Sequence, residues 1–256
     1  MYNSSELRVD GDKAIDSRLR LLLSKYSKGH YDSIVDALQS LIEELVRDAI
    51  NNHLNYDTNE DISLCAVCII DSKYRLGAYH ECLEIIQRYK ANNYFSGNSI
   101  LPELLRGWCY LVLSRHGQAE EVARHNLQSS KYNSNPEVAA SFLFLLGKVR
   151  CLLHKYCDAR QHFSDSLALF RYAGNVHHSC VVLCALGLVE KNVGRLSRSI
   201  EFYNKAYELV DHSIYRDRAA DIRLNKSIAL LKHGDTAVAL ATIQENFSAD
   251  NLPPCL

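Results

Sequence analysis

The sequence has little that would interrupt a helix or place the chain in a membrane. Only 4 prolines and 11 glycines occur in 256 residues, and the glycines are spread out, so no flexible linker is visible. No run of eighteen or more apolar residues occurs, which excludes a transmembrane helix. The start, MYNSSELRVDGDK, lacks an apolar segment after a basic opening. We therefore expect neither a secretory signal nor a membrane partner.

An excess of positive charge is also missing. The net charge of -1 argues against nucleic-acid binding, which needs a surplus of lysine and arginine. The 9 cysteines form an odd number in a chain without an export signal, so we interpret them as reduced thiols. The composition therefore predicts a cytoplasmic protein that binds neither nucleic acid nor membrane.

What the sequence does contain is a repeat with a step of forty residues. One series starts with a small residue inside a helical pattern and consists of Gly107, Gly147, Gly187 and Ser227. About seven residues later a glycine suited to a left-handed turn follows, at Gly194 and Gly234. The next helix then carries a small residue, at Ala159, Ser199 and Ala239. One turn further on comes a large side chain, at Phe163, Tyr203 and Ile243.

The same order of residues, less regular upstream, predicts helix pairs along the whole chain. We expect six pairs in one domain, at about 15–52, 62–92, 100–130, 136–172, 176–211 and 218–246. Asn135 is a candidate helix N-cap with Pro136 in the first turn. Since no β-rich segment remains, the predicted fold class is all-α.

These residues resemble the tetratricopeptide repeat (TPR) family, most specifically in LGLVEKNVGRLSRSIEFYNKAYEL. The forty-residue step is similar to the longer-period branch of that family. The resemblance implies a right-handed α-solenoid in which the pairs stack because one pair cannot bury its own apolar face. It is weakest around Gly107, where SRHGQAEEVARHNL has neither the turn glycine nor the aromatic residue.

The resemblance also implies that the first helix of each pair lines a concave groove. The candidate partner-binding residues are Tyr74, Leu104, Trp108, Phe144, Lys148, Cys184, Leu188, Lys191, Leu224 and Ile228. Such an apolar lining suits an amphipathic helix or an extended apolar segment of a partner protein. Trp108 is either an interface anchor or a residue packed between repeats. The family's arrangement for gripping a chain-terminal carboxylate is not present, because Phe144, Cys184 and Leu188 occupy that stretch.

Two clusters of reactive residues admit a chemical interpretation. Cys65 and Cys68 form a C-x2-C pair followed by His80 and Cys82, a spacing that occurs in zinc sites. Their helical spacing, i and i+3, is also that of core packing, which we favour. The segment NVHHSCVVLC could combine a cysteine nucleophile with a histidine base. It lacks an orienting acid, so we interpret it as a helix start followed by core.

The sequence therefore favours a non-catalytic scaffold that needs no cofactor. The alternative is a ligand-sensing or peptide-sensing module of a larger regulator. The last predicted helix, TAVALATIQENF, carries apolar residues that a further element would normally cover. We expect that the chain either is the N-terminal part of a longer protein or associates with another chain, including a copy of itself, at that end.

Overall fold

Helices account for all the regular secondary structure that the computed structural model describes, which covers residues 17–51, 56–95, 100–129, 135–210 and 216–245. In chain order the helices are α1 (Ser17–Ser27), α2 (Tyr31–Asn51), α3 (Tyr56–Arg75), α4 (Tyr79–Ala91), α5 (Leu101–Val112), α6 (His116–Gln128), α7 (Pro136–Leu152), α8 (Tyr156–Tyr172), α9 (Val176–Asn192), α10 (Leu196–Leu209), α11 (Arg216–His233) and α12 (Thr236–Gln244). The predicted all-α fold is confirmed. Within the described ranges, none of these helices has the length and apolar character to cross a membrane.

The chain divides into two compact units, Met1–Ala119 and Glu120–Leu256. In the first unit α1 packs against α2, α2 against α3, α3 against α4 and α4 against α5, and α3 also packs against α5. In the second unit, consecutive helices from α7 to α12 pack against each other. Each unit has its own apolar core. The single domain expected from the sequence stays a prediction.

The turns between paired helices use the left-handed backbone conformation. Gly194 and Gly234 have φ values of +85° and +102°, which confirms the turns predicted at both positions. Ser114 and His154, at the same step of forty residues, have φ values of 58° although they carry side chains. The turn geometry is therefore kept in pairs that lack the glycine, at the steric cost of placing a Cβ in this conformation.

Asparagine side chains fix the starts of two first helices. The Oδ1 atom of Asn135 accepts hydrogen bonds from the backbone N–H groups of Glu137 and Val138, at 3.0 and 3.3 Å. Asn175 accepts in the same way from the N–H group of His178, at 3.0 Å. These bonds satisfy donors that a helix start would otherwise leave unpaired. The predicted N-cap at Asn135 is confirmed.

The glycines inside the first helices provide space for rings of the second helices. A Cβ atom on Gly147 would lie 2.5 Å from the Phe163 ring, and one on Gly187 would lie 2.9 Å from the Tyr203 ring. Both rings are buried, with exposures of 1%. Ser199 completes the second contact, since its hydroxyl donates a hydrogen bond of 2.7 Å to the carbonyl of Gly187. The forty-residue repeat therefore marks a close approach of the paired helices at Gly147 and Gly187.

Ion pairs connect successive helices within the second unit, which begins at Glu120. Glu120 on α6 contacts Arg150 on α7, thirty residues later. Arg160 on α8 contacts Glu190 on α9 at 2.5 Å, again thirty residues later but with the charges exchanged. Glu190 has a side-chain exposure of 0% and its second oxygen lies 3.8 Å from Arg195. A buried carboxylate of this kind is costly without its cationic partner.

Replacing Gly187 by alanine tests the ring contact. We expect Gly187→Ala to lower the free energy of unfolding by about 1–3 kcal/mol, because the added methyl group overpacks against Tyr203. Gly117→Ala is the matched control: a Cβ atom there would have no atom within 4 Å. That control should raise stability by up to about 1 kcal/mol through helix propensity. Urea unfolding of both variants measures the effects, and equal effects would contradict the packing role.

Removing the partner of Glu190 tests the ion pair. We expect Arg160→Ala to destabilise the chain by about 3–5 kcal/mol, because it leaves a buried carboxylate unpaired. Arg124→Ala, which removes an arginine with 52% exposure from Glu120, should cost about 1 kcal/mol or less. The double variant Arg160→Glu/Glu190→Arg should recover part of the loss. Similar urea midpoints for Arg160→Ala and Arg124→Ala would disprove the assignment.

Candidate functional site

Seven of the predicted groove residues lie on the first helices of the second unit. We call this set the first-helix stripe: Phe144 and Lys148 on α7, Cys184, Leu188 and Lys191 on α9, and Leu224 and Ile228 on α11. Leu224 and Ile228 are exposed, at 48% and 36%, and the other five are half-buried. The stripe combines apolar side chains with two lysines on three first helices of one unit.

The remaining three predicted residues lie in the first unit and differ in accessibility. Leu104 on α5 is buried, with an exposure of 8%, so it presents little surface to a partner. Tyr74 is half-buried on α3 and meets Tyr79 edge-on, with ring centroids 5.5 Å apart. Trp108 on α5 is half-buried. Of these three, Tyr74 and Trp108 keep surface that a partner could contact.

Lys148 is the most enclosed charge of the first-helix stripe. Its Nζ atom lies 5.4 Å from the centroid of the Phe144 ring, a cation–π distance. The Phe144 ring in turn lies 5.4 Å from Phe163, one of the rings seated on a glycine. Burial lowers the pKa of Lys148 from its ordinary value of 10.5. No carboxylate lies within salt-bridge distance of Lys148 in the described residues.

Two further lysines, Lys191 and Lys232, lie towards the C-terminal ends of α9 and α11. Burial lowers the pKa of Lys191, and the charge of Lys232 lowers it further. Neither lysine has a carboxylate within salt-bridge distance in the part of the chain that the structure covers. In contrast, Lys73 and Lys90 of the first unit form ion pairs with glutamates at 2.7 and 3.1 Å. The cations of the stripe and Lys232 therefore remain available to an anionic group.

The histidine and cysteine cluster on α9 is arranged for packing. His178 stacks on Phe170 with ring centroids 4.9 Å apart, and burial lowers its pKa to about 4, with His177 and Arg218 contributing. Cys180 is buried and its thiol donates to the carbonyl of Ala206 at 3.3 Å. These contacts agree with the interpretation of the segment as a helix start followed by core.

The cysteines of the C-x2-C pair also lie in a core. Cys65 and Cys68 have exposures of 0% and 2%, and burial raises the pKa of both thiols to about 12. The thiol of Cys82 donates to the carbonyl of Ile70 at 3.6 Å, while His80 is exposed. In the described ranges no three potential ligands are placed to hold a metal ion. Burial therefore favours the thiol form of both cysteines in the metal-free protein.

The structure adds residues that the sequence analysis did not select for the groove. Cys151 on α7 is half-buried near Lys148, which lowers the pKa of its thiol against the larger effect of burial. Leu231 on α11 is exposed, at 49%. Both lie forty residues from Lys191, one before it and one after it, so the forty-residue repeat predicts that they occupy equivalent positions.

A cavity of about 360 Å³ in the first unit is a separate feature. It lies among α2, α3 and α4 and is lined by Val35, Asp36, Gln39, Lys73, Glu81, Glu84, Ile85 and Arg88. Lys73 and Glu81 already pair with each other at 2.7 Å. Its mixed charges show no arrangement of nucleophile and base.

Solved structures with the same arrangement of helices include proteins described as TPR proteins. The thermophilic TPR protein TTC0263 of Thermus thermophilus has a TM-score of 0.56 at 20% identity, covering 84% of this chain and 97% of its own. A tetratricopeptide repeat protein of Parabacteroides merdae has a TM-score of 0.56 at 17% identity, covering 93% and 81%. The chain has a TPR-type fold. The predicted resemblance is thereby confirmed for the helical solenoid fold.

A third structure is similar over most of its length. BtubC (BKLC) from P. vanneervenii has a TM-score of 0.70 at 14% identity, covering 88% of this chain and 94% of its own. Neither the protein-family models nor the curated protein sequences give a match to this chain. At identities this low, the similarity supports the fold alone. The nature of a partner has to be inferred from this chain's own residues.

Lys148→Met tests the electrostatic cost of the enclosed charge. The lowered pKa means that the native state holds this proton less tightly than the unfolded chain does. We expect Lys148→Met to unfold at higher urea concentration than the wild type at pH 7. The advantage should shrink as the pH rises towards 10.5, because the native lysine then loses its charge before the unfolded one.

The exposed Lys155 provides the control, since Lys155→Met should change stability little at either pH. An advantage of Lys148→Met that stays constant from pH 7 to pH 10.5 would show that the gain comes from packing alone.

Proposed function

We propose that the chain is a non-catalytic scaffold that binds a segment of a partner protein along the first-helix stripe. The observation that carries the proposal is the combination of exposed Leu224 and Ile228 with the enclosed, carboxylate-free Lys148. Exposed apolar side chains that form one surface mark interaction sites in soluble proteins. We infer that the stripe lines the concave face of the second unit.

The chemistry of the stripe favours a partner segment with both apolar and acidic side chains. Leucine and isoleucine side chains offer apolar area, which drives association when it leaves water. Burial has already removed part of the hydration of Lys148 and Lys191. A partner carboxylate would therefore stabilise the charged form of both lysines by electrostatic attraction. An amphipathic helix with one acidic edge satisfies both requirements.

A chain-terminal carboxylate is a less suitable ligand for this surface. Among the polar residues near the stripe, Arg223 is buried and donates a hydrogen bond to the Tyr207 hydroxyl at 3.0 Å. Its guanidinium also lies 5.6 Å from the ring of Tyr207. Because these contacts hold the guanidinium of Arg223, it is less able to bind a chain-terminal carboxylate. This supports recognition of side-chain carboxylates by the lysines.

We further propose that the chain acts in the cytoplasm and catalyses no reaction. The thiols support the compartment, since those of Cys65, Cys68, Cys82 and Cys109 are free and buried within helices of the first unit. The α9 cluster supports the absence of catalysis, because the pKa of His178 is too low for a base at neutral pH.

Selection of random peptides displayed on phage tests the binding site. We expect the wild type to enrich peptides that combine apolar and acidic residues, and Leu188→Asp/Ile228→Asp to bind the selected peptides at least about tenfold more weakly. Val193→Asp changes an exposed apolar residue outside the stripe and should leave affinity unchanged. Trp108→Ala tests the first unit separately.

Binding is measured by fluorescence anisotropy after circular dichroism has shown that each variant is folded. Undiminished binding of every selected peptide by the folded double variant would refute the first-helix stripe as the binding surface. Enrichment of peptides without acidic residues would refute the role of the lysines alone.

A further inference from the structure

The last described helix exposes more apolar surface than its position in the chain explains. Val238 and Leu240 on α12 have exposures of 54% and 58%. The helix, TAVALATIQ, contains no charged residue. The second helices α8 and α10 of the two preceding pairs each carry several charges, so α12 differs from both.

Leu240 occupies the position that joins one helix pair to the next. Forty and eighty residues earlier this position holds Ile200, which is half-buried against the core, and Arg160, which forms the ion pair with α9. Glu120, one step further back, contacts α7. At this position a following helix with an apolar counterpart would cover Leu240.

Val238 and Ala241 lie on a different side of the helix, where a following pair would leave them open to water. The residues at the position of Val238 in the preceding pairs are Asp158 and Arg198, and both are exposed although another helix pair follows each. Ala241 replaces the exposed Glu201 in the same way. A further repeat would therefore cover Leu240 but would not account for apolar residues at 238 and 241.

We propose that the α12 face, defined as Ala237, Val238, Leu240 and Ala241, is the contact between two copies of this chain. A surface without charge can face its own copy about a two-fold axis with no like-charge contact within it. A two-fold axis perpendicular to α12 would pair the two helices antiparallel, which also opposes their dipoles.

The side chains of the α12 face suit close packing of two identical helices. Ala237 and Ala241 are one helical turn apart and exposed, so two copies of the helix can approach closely along them. Val238 and Leu240 flank these alanines and would become covered on both copies. Because neither residue has a charged neighbour on the helix, a partner with a strongly charged surface would gain no ion pair there.

Restoring the charges of the preceding pair tests the proposal. We expect light scattering coupled to size exclusion, over a micromolar to millimolar concentration series, to show the wild type passing from one copy to two. Val238→Arg/Ala241→Glu, which copies Arg198 and Glu201, should stay at one copy throughout. The altered positions are exposed, so circular dichroism and thermal unfolding should show an unchanged fold.

Val193→Arg places the same charge on another exposed apolar residue and should dimerise like the wild type. A wild type that remains a monomer at every concentration would overturn the proposal and assign the α12 face to another protein or a further segment. A dimer that persists in the folded double variant would overturn it as well.

Discussion

The close contact between a second-helix ring and a first-helix glycine is the constraint on which the repeated packing depends. Phe163 and Tyr203 lie where a Cβ atom on Gly147 or Gly187 would clash. Since the ring reaches the backbone of the partner helix, it fixes both the separation and the register of the pair. With that register repeated every forty residues, Phe144, Cys184 and Leu224 come to equivalent places on successive first helices.

The sequence predicted the helices and their turns where local chemistry is specific. Gly194, Gly234 and Asn135 were identified because few residues suit a left-handed turn or an N-cap. The sequence does not predict the turn at His154, since residues with a Cβ atom adopt positive φ only rarely. The start of α3 at Tyr56 precedes the expected start of its pair near Ile62, because its first turn, YDTNED, is polar and lacks an apolar period.

The helix on which each candidate residue lies was predictable from the sequence, but the environment of its side chain was not. The forty-residue step selects the first-helix residues, yet it does not separate buried Leu104 from exposed Leu224. That difference depends on which neighbouring helices cover each side chain. Phe144 and Lys148 are one turn apart on α7, so the sequence predicts that they are neighbours. The burial that lowers the pKa of Lys148 depends on the other helices, which a single-helix pattern does not describe. The division into two units also has no marker in composition.

The exchanged ion pairs have a consequence for how the chain tolerates the loss of a repeat. Deleting the forty residues 121–160, which include Arg160, would leave the pattern of the remaining helices intact, but it would bring Glu120 to the place opposite Glu190. Two carboxylates would then share a site from which water is largely excluded, and like charges repel strongly there. The exchange of charges therefore makes each helix pair compatible with its own neighbour, so that pairs similar in shape are not interchangeable.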